Sequence, residues 1–257
     1  MQSWVSLAST KLGPSDEPYA NATVQGWWRI LKEMLQDAAA EFGLPDPTRR
    51  VRAPKTDIAK ARERRALTRA ELDSVLDAVG SEMPDWFAEV YVLAFSGMRP
   101  GELYALEWGD IDESAGVIHI RRAVWRGVVA GTKTGAERRA VLTSGMRRVL
   151  HGRRGLPGAL VFPSATGGYR GPQSLLTMLR RLCARCGLPR VTPYTFRYTF
   201  RTLMRDAGAP DELVRAVQGH ASAEMGERYY RVDVDGARRL VEALELPDPS
   251  PRFRSRV

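Results

Sequence analysis

The chain has 257 residues, 44% of them hydrophobic and 27% charged, which is ordinary for a globular protein. Its 39 Lys and Arg residues outnumber 30 Asp and Glu residues, and the net charge of +9 favours a polyanionic partner such as nucleic acid. No apolar run approaches the roughly 20 residues of a membrane span and no secretory signal is visible, so we expect a cytoplasmic protein without a membrane partner.

The first predicted element is a helix over residues 20–43, where apolar side chains recur at helical spacing. Asn21 or Thr23 is placed to cap its start. Pro and Arg then dominate residues 46–65, a composition that predicts a basic linker, either simply solvated or wrapped around DNA. Residues 1–45 are therefore expected to form a short helical piece.

A second helical region begins at a capping box. Thr68 and Glu71 stand at the spacing at which the two side chains satisfy each other's backbone N–H groups. Leu67 and Leu72 are placed for the hydrophobic staple that accompanies such a box, and the helical pattern continues through Val79.

The rest of the chain is predicted to be mainly helical around a small sheet. Helices are expected over about 86–95 and 101–108, and alternating Val- and Ile-rich residues over 116–143 predict two or three antiparallel strands. Residues 144–244 are again mainly helical, and 246–257 form a Pro/Arg tail. The predicted fold class is mainly α with a small antiparallel β-sheet (α+β).

The sequence predicts neither a metal site nor a cofactor site. Cys183 and Cys186 form a CxxC pair within a predicted helix, and the three histidines lie far from it in the sequence. Two thiolates do not complete a four-ligand zinc site, so we expect the pair to have a structural or incidental role. No strand leads into a phosphate-binding glycine loop before a helix.

Metal-free cleavage of a phosphodiester requires fixed cations, a hydroxyl nucleophile and an acid for the leaving oxygen. The segment AFSGMRPGELYALEWGDID resembles the first-arginine box of the tyrosine recombinases of the phage integrase type. The resemblance makes Arg99 the first catalytic arginine and Glu102 its supporting carboxylate. Gly97 and Gly101 bracket Arg99 and suit a tight turn between helices.

The segment GTKTGAERRAVLT is similar to the β-hairpin of that family, whose turn-proximal lysine is the general acid. That position is Lys133. After Lys60 it is the only lysine in an arginine-biased chain. Arginine, with a pKa above ~12, is too weak an acid to donate a proton at this point, which would explain the exception. The alternative is a surface lysine without a catalytic role.

Two further segments complete the resemblance. TPYTFRYTFRTLMRDAG is similar to the His-x-x-Arg box, with Arg197 as the second catalytic arginine and Tyr194 in place of the usual histidine. VQGHASAEMGERYY resembles the C-terminal signature, in which a Gly-His pair precedes the nucleophilic tyrosine by nine positions. These positions are His220 and Tyr229, and the adjacent Tyr230 is the alternative nucleophile.

The resemblance implies an integrase-type catalytic domain over 66–245, preceded by a partial core-binding domain over 1–45. It further implies cleavage of double-stranded DNA through a 3′-phosphotyrosine without metal or ATP. The implied partners are three further copies of the chain in a homotetramer and an accessory directionality factor. A prokaryotic, nucleoid-associated location follows. Residues 233–257 are expected to pack onto a neighbouring protomer. Two alternatives are a type IB topoisomerase-like cutter and a non-catalytic DNA-binding protein on a decayed recombinase scaffold.

Overall fold

The computed structural model describes residues 2–11, 13, 17–53, 65–131, 137–219 and 235–245. The predicted site residues Lys133, His220 and Tyr229, and the alternative Tyr230, lie outside the described residues. The chain divides into two compact units, Met1–Glu63 and Arg64–Val257. Within the described part of the chain, no helix is both long enough and apolar enough to cross a membrane.

The smaller unit contains two packed helices, α1 (Gln2–Thr10) and α2 (Asn21–Glu41). Val24 and Trp28 are the large apolar residues that α2 buries. The Trp28 ring lies 6.3 Å from that of Trp4, measured between centroids. This aromatic contact joins the two helices.

The predicted helix over 20–43 is confirmed as α2, but its predicted cap is wrong. The N-cap residue is Ala20, which makes no side-chain cap hydrogen bond. Asn21 and Thr23 already belong to the first helical turn. A capping side chain must stand on the residue before the helix, in non-helical conformation, to reach the N–H groups of the first turn.

The larger unit is mainly helical, and the predicted fold class is confirmed. Its α-helices are α3 (Arg69–Glu82), α4 (Phe87–Ser96), α5 (Pro100–Leu103), α6 (Ser144–His151), α7 (Pro172–Cys186), α8 (Pro193–Asp206), α9 (Asp211–Gln218) and α10 (235–244). Two 3₁₀ turns, Pro84–Trp86 and Trp108–Asp110, connect some of them. One apolar cluster that includes residues of α3, α4, α7, α8 and α10 forms the core.

The described residues include five short strands. Four of them lie within 116–143, where two or three were predicted, and one lies before this range, where none was predicted. They are β1 (Ile111–Asp112), β2 (Val117–Ile120), β3 (Arg122–Trp125), β4 (Val128–Gly131) and β5 (Arg138–Val141). The antiparallel order β1-β2-β5 forms one sheet, and β3 pairs with β4 in a second. Arg126 and Gly127 both have positive φ and form the two-residue turn that divides β3 from β4.

The capping box at the start of α3 is confirmed. The Thr68 hydroxyl accepts from the Glu71 N–H, and the Glu71 carboxylate accepts from the Thr68 N–H at 2.9 Å. Leu67 and Leu72, the predicted staple, are both buried in the core cluster. The helix continues past Val79, the predicted end, because core packing holds its C-terminal turn.

Helix α4 runs through the core, and all its residues are buried. It packs against α8, α6 and α3. Its end at Ser96 and Gly97 agrees with the prediction, and Gly97 takes the left-handed conformation (φ 65°) of a helix C-cap. The third predicted helix, over 101–108, is too long. Only α5 forms, because Glu107 pairs with Leu160 in an isolated antiparallel bridge that draws the chain out of helical conformation.

The C-terminal helix α10 packs within its own unit. Ala237, Val241 and Leu244 on one face are buried in the core cluster. Glu245 then accepts hydrogen bonds from the Thr143 hydroxyl and, at 3.2 Å, from the Gly145 N–H. The described part of residues 233–257 therefore packs its apolar face within its own unit, and the expected contact of the segment with a neighbouring protomer stays a prediction.

Candidate active site

Arg99 lies in the sharp turn between α4 and α5. Gly97 makes that turn possible, since a Cβ there would lie 2.8 Å from the Phe200 ring of α8 and its φ is positive. Gly101 allows an equally close approach on the other side, where a Cβ would lie 2.6 Å from the Val124 carbonyl oxygen of β3. The two glycines therefore fix the turn between α8 and β3, and the Arg99 side chain remains 30% exposed.

Glu102 holds Arg99 through both the backbone and the side chain. Its Oε2 accepts from the Arg99 N–H at 2.6 Å, and its Oε1 accepts from Arg99 Nη1 at 2.9 Å. The carboxylate is only 3% exposed. A charge-assisted pair of this kind orients the guanidinium. The supporting role that the resemblance gives Glu102 in catalysis stays a prediction.

Arg138 is a third charged residue of this cluster, and the sequence reasoning missed it. Its Nη2 donates to Glu102 Oε2 at 2.6 Å. The residue begins β5, and its neighbour Arg139 follows on the same strand. Because side chains alternate across a strand, the two consecutive arginines face opposite sides, and that alternation was the available signal.

Arg197 reaches the same cluster from α8 and is 4% exposed. Its Nη1 donates to the Gly97 carbonyl and its Nη2 to the Gln218 carbonyl. Burial, followed by repulsion from Arg99 and Arg138, lowers the pKa of Arg197 to about 9. The guanidinium is thus held rigidly against other positive charges.

Tyr194 stands one helical turn before Arg197, on the same side of α8. The capping box of Thr192 and Thr195 fixes this first turn. Tyr194 is 47% exposed, although it is a large aromatic residue beside a buried arginine. The phenol is therefore accessible to a ligand at the surface of the cluster.

Helix α9 ends beside the cluster at Gly219, which has φ 67°. A Cβ there would lie 2.6 Å from the Arg138 side chain, so the chain passes directly over that arginine. His220 is the next residue. In the sequence, Gly131 of β4 and Glu137 flank the segment that contains Lys133.

The structure thus brings Arg99, Glu102 and Arg197 together, with Arg138 as an added member. The guanidinium groups of Arg99 and Arg138 bind one buried carboxylate, and that of Arg197 lies close enough for their charges to lower its pKa. Such a surplus of fixed positive charge in a partly buried site is suited to a phosphate, whose oxygens accept several N–H donors at once. Lys133, His220 and Tyr229 stay predictions.

Comparison with known proteins identifies the family. The model of the phage integrase family matches residues 65–235. The chain belongs to the phage integrase family. The match includes all the predicted catalytic residues from Arg99 to Tyr229.

Relatives with assigned names agree with this family. The tyrosine recombinase XerD of Mycobacterium tuberculosis is 30% identical over 223 residues, which cover 80% of this chain and 68% of XerD. The tyrosine recombinase XerC of Herpetosiphon aurantiacus is 27% identical over 244 residues, covering 90% of this chain and 76% of XerC.

Solved structures of the phage integrase family share the fold. The Tn1549 transposon integrase in complex with a circular intermediate DNA superposes with a TM-score of 0.72 at 18% identity, covering 94% of this chain and 83% of that one. The XerH recombinase bound to a palindromic difH substrate gives a TM-score of 0.65 at 19% identity, covering 94% and 70%.

Proposed function

We propose that this chain cleaves and rejoins double-stranded DNA through a 3′-phosphotyrosine formed on Tyr229. The chain is a site-specific DNA recombinase of the tyrosine type, by its family and relatives. The proposal concerns how its own residues divide the reaction. It takes residues 66–245 as the catalytic domain, 1–45 as a partial core-binding domain, 46–65 as the linker and 246–257 as the tail.

The observation that carries the proposal is that Arg99 and Arg197 lie close together at the turn formed by Gly97. One arginine is anchored by Glu102 and the other by two backbone carbonyls. Both guanidinium planes are therefore positioned before substrate arrives, and no reorganisation is needed when charge builds on the scissile phosphate. Arginine suits this work because it keeps its proton and binds two oxygens at once.

In the proposed reaction the Tyr229 hydroxyl loses its proton to solvent as its oxygen attacks the phosphorus, while Arg99 and Arg197 bind the non-bridging oxygens. The bond from phosphorus to the 5′ oxygen breaks, and Lys133 donates the proton that makes this oxygen a hydroxyl. His220 and Tyr194 donate hydrogen bonds to the phosphate. The 5′-hydroxyl of a partner strand then attacks the phosphotyrosine and returns its proton to Lys133, and Tyr229 leaves and regains its proton from solvent.

The proposed partners follow from this reaction. Exchange of strands between two duplexes requires two cleavages on each, so we propose a homotetramer on DNA. An accessory directionality factor would choose between forward and reverse reactions. Structures of the related Tn1549, XerH and lambda integrases contain DNA, which supports the assignment of DNA as the partner.

A covalent-capture experiment tests the proposal. Nicked duplexes with randomised cores are incubated with the protein, and the reaction is divided. One portion is denatured so that the adducts are recovered and their DNA sequenced, and the other is kept native and supplied with an acceptor strand that has a free 5′-hydroxyl. We expect adducts with a preferred sequence that transfer their strand to the acceptor. Adducts without strand transfer, together with relaxation of a supercoiled plasmid in a parallel assay, would indicate a topoisomerase-like enzyme. Binding without adducts would contradict a catalytic role.

A further inference from the structure

Arg138 has no role in the proposed reaction, although it contacts residues of the candidate active site. Its side chain is 10% exposed, and its Nη2 lies 2.6 Å from Glu102 Oε2. A guanidinium is rarely buried to this extent unless it is paired. Its partner here is the same carboxylate that holds Arg99.

The shared carboxylate limits how Arg99 can pair. Arginine and a carboxylate prefer a two-bond, fork-to-fork arrangement when both oxygens are available. Arg138 and the Arg99 backbone N–H both bind Oε2 of Glu102, so the Arg99 side chain pairs with Oε1 through Nη1. This arrangement favours a single side-chain bond and an Arg99 guanidinium that faces the site.

Arg138 also contacts the end of α9. A Cβ on Gly219 would lie 2.6 Å from both Cδ and Nε of Arg138, so the arginine stem lies directly against this backbone. Gly219 is the residue before His220, and Arg138 follows Lys133 by five positions. One side chain therefore connects β5, the Arg99 turn and the α9 terminus.

We propose that Arg138 is a positioning residue of the recombination reaction, which binds Glu102 so that Arg99 is directed at the scissile phosphate. The inference rests on the proposed function. A positioning role differs from a general electrostatic role in its dependence on Glu102. If Arg138 positions Arg99, its loss slows cleavage only while Glu102 is present, whereas the loss of one positive charge would slow cleavage with or without Glu102.

The test compares Arg138→Gln with Arg139→Gln, which removes the same charge from the opposite face of the strand. The single-turnover rate of cleavage is measured at saturating protein on a nicked duplex of a sequence recovered by covalent capture. The Kd for the same DNA is measured separately. We expect Arg138→Gln to cleave about 10- to 100-fold more slowly, the effect of losing a buried charge-assisted bond. Its Kd should change by less than about 3-fold, and Arg139→Gln should cleave at nearly the parental rate.

Two further variants separate positioning from folding. Arg138→Lys keeps one donor for Glu102 Oε2 and should recover part of the rate, and it replaces Arg138→Gln in the comparison if the latter does not fold. In a Glu102→Gln background, Arg138→Gln should cost much less rate than in the parent, because the two substitutions remove one interaction.

Three outcomes would overturn the role of Arg138 and leave the proposed function standing. They are cleavage at the parental rate by Arg138→Gln, equal losses of rate in Arg138→Gln and Arg139→Gln, and additive losses of rate when Arg138→Gln is combined with Glu102→Gln. The parent and Tyr229→Phe serve as references for the proposed function. Absence of covalent adducts in the parent would overturn that function and the role of Arg138 with it.

Discussion

Gln218 and Arg197 bind each other reciprocally. The Gln218 side-chain amide donates to the Arg197 backbone carbonyl at 2.8 Å, and the Arg197 guanidinium donates to the Gln218 carbonyl. Both residues are buried. This exchange joins the end of α9 to the middle of α8, so the position of Arg197 depends on a residue that lies two positions before His220.

Gln218→Leu should weaken this connection while nearly keeping side-chain volume. The Arg197 carbonyl loses a buried donor, and we expect a loss of about 1–2 kcal/mol in the free energy of unfolding, measured by urea denaturation. The rate of DNA cleavage should fall as well, because the arginine is less firmly held. Gln173→Leu, at an exposed position of α7, should change neither quantity. Equal effects of the two substitutions would contradict the positioning of Arg197 by Gln218.

Tyr194 provides a second test, since it occupies the place of the usual histidine. If its exposed hydroxyl donates one hydrogen bond to a charged phosphate, Tyr194→Phe loses about 1.5–3 kcal/mol of transition-state stabilisation. Single-turnover cleavage should then be about 10- to 100-fold slower.

Tyr194→His is the matched variant, because an imidazole N–H restores the donor. We expect it to cleave at least as fast as the parent. A Tyr194→Phe protein that cleaves at the parental rate would remove Tyr194 from the reaction and leave it a surface aromatic residue.

The docking of α10 should depend on pH through Glu245. Burial is the largest influence on this carboxyl and raises its pKa, although hydrogen bonds from Thr143 and Gly145 oppose the shift. A carboxyl with a raised pKa binds its proton more tightly in the folded state. Its contribution to stability is therefore complete below the ordinary value near ~4.3 and is lost as the pH rises through the raised pKa.

Glu245→Gln removes this titration. The melting temperature of the variant relative to the parent should rise with pH between about 4 and the raised pKa of Glu245, measured by calorimetry in matched buffers. The variant also loses a carboxylate acceptor, so the pH dependence of the difference is the quantity to compare. A difference that stays constant over this range would contradict a raised pKa.

Local signals were sufficient for several elements. The capping box of Thr68 and Glu71 and the helix end at Gly97 depend on residues adjacent in sequence, and both were predicted correctly. The contact between Arg99 and Glu102 was also predictable, because three residues separate them across the start of one helix.

Other features of the structure depend on long-range packing and could not be predicted from local sequence. Arg138 reaches Glu102 only because β5 pairs with β2, and that pairing is fixed by contacts distant in sequence. The packing of α10 into the core also depends on contacts with residues distant in sequence. The Arg126-Gly127 turn is a local feature that could have predicted the division between β3 and β4, and the sequence-based prediction of two or three strands did not use it.

The central claim is that Tyr229 attacks the DNA. The direct test is to identify the amino acid that becomes covalently bound to the DNA. Captured adducts are digested with nuclease and trypsin, and the nucleotide-bearing peptide between Arg228 and Arg231 is fragmented in the mass spectrometer, since it contains both candidate tyrosines. We predict the phosphate on Tyr229, with no adduct from Tyr229→Phe and undiminished DNA binding by that variant. A phosphate on Tyr230, or adducts that persist in Tyr229→Phe, would contradict the account.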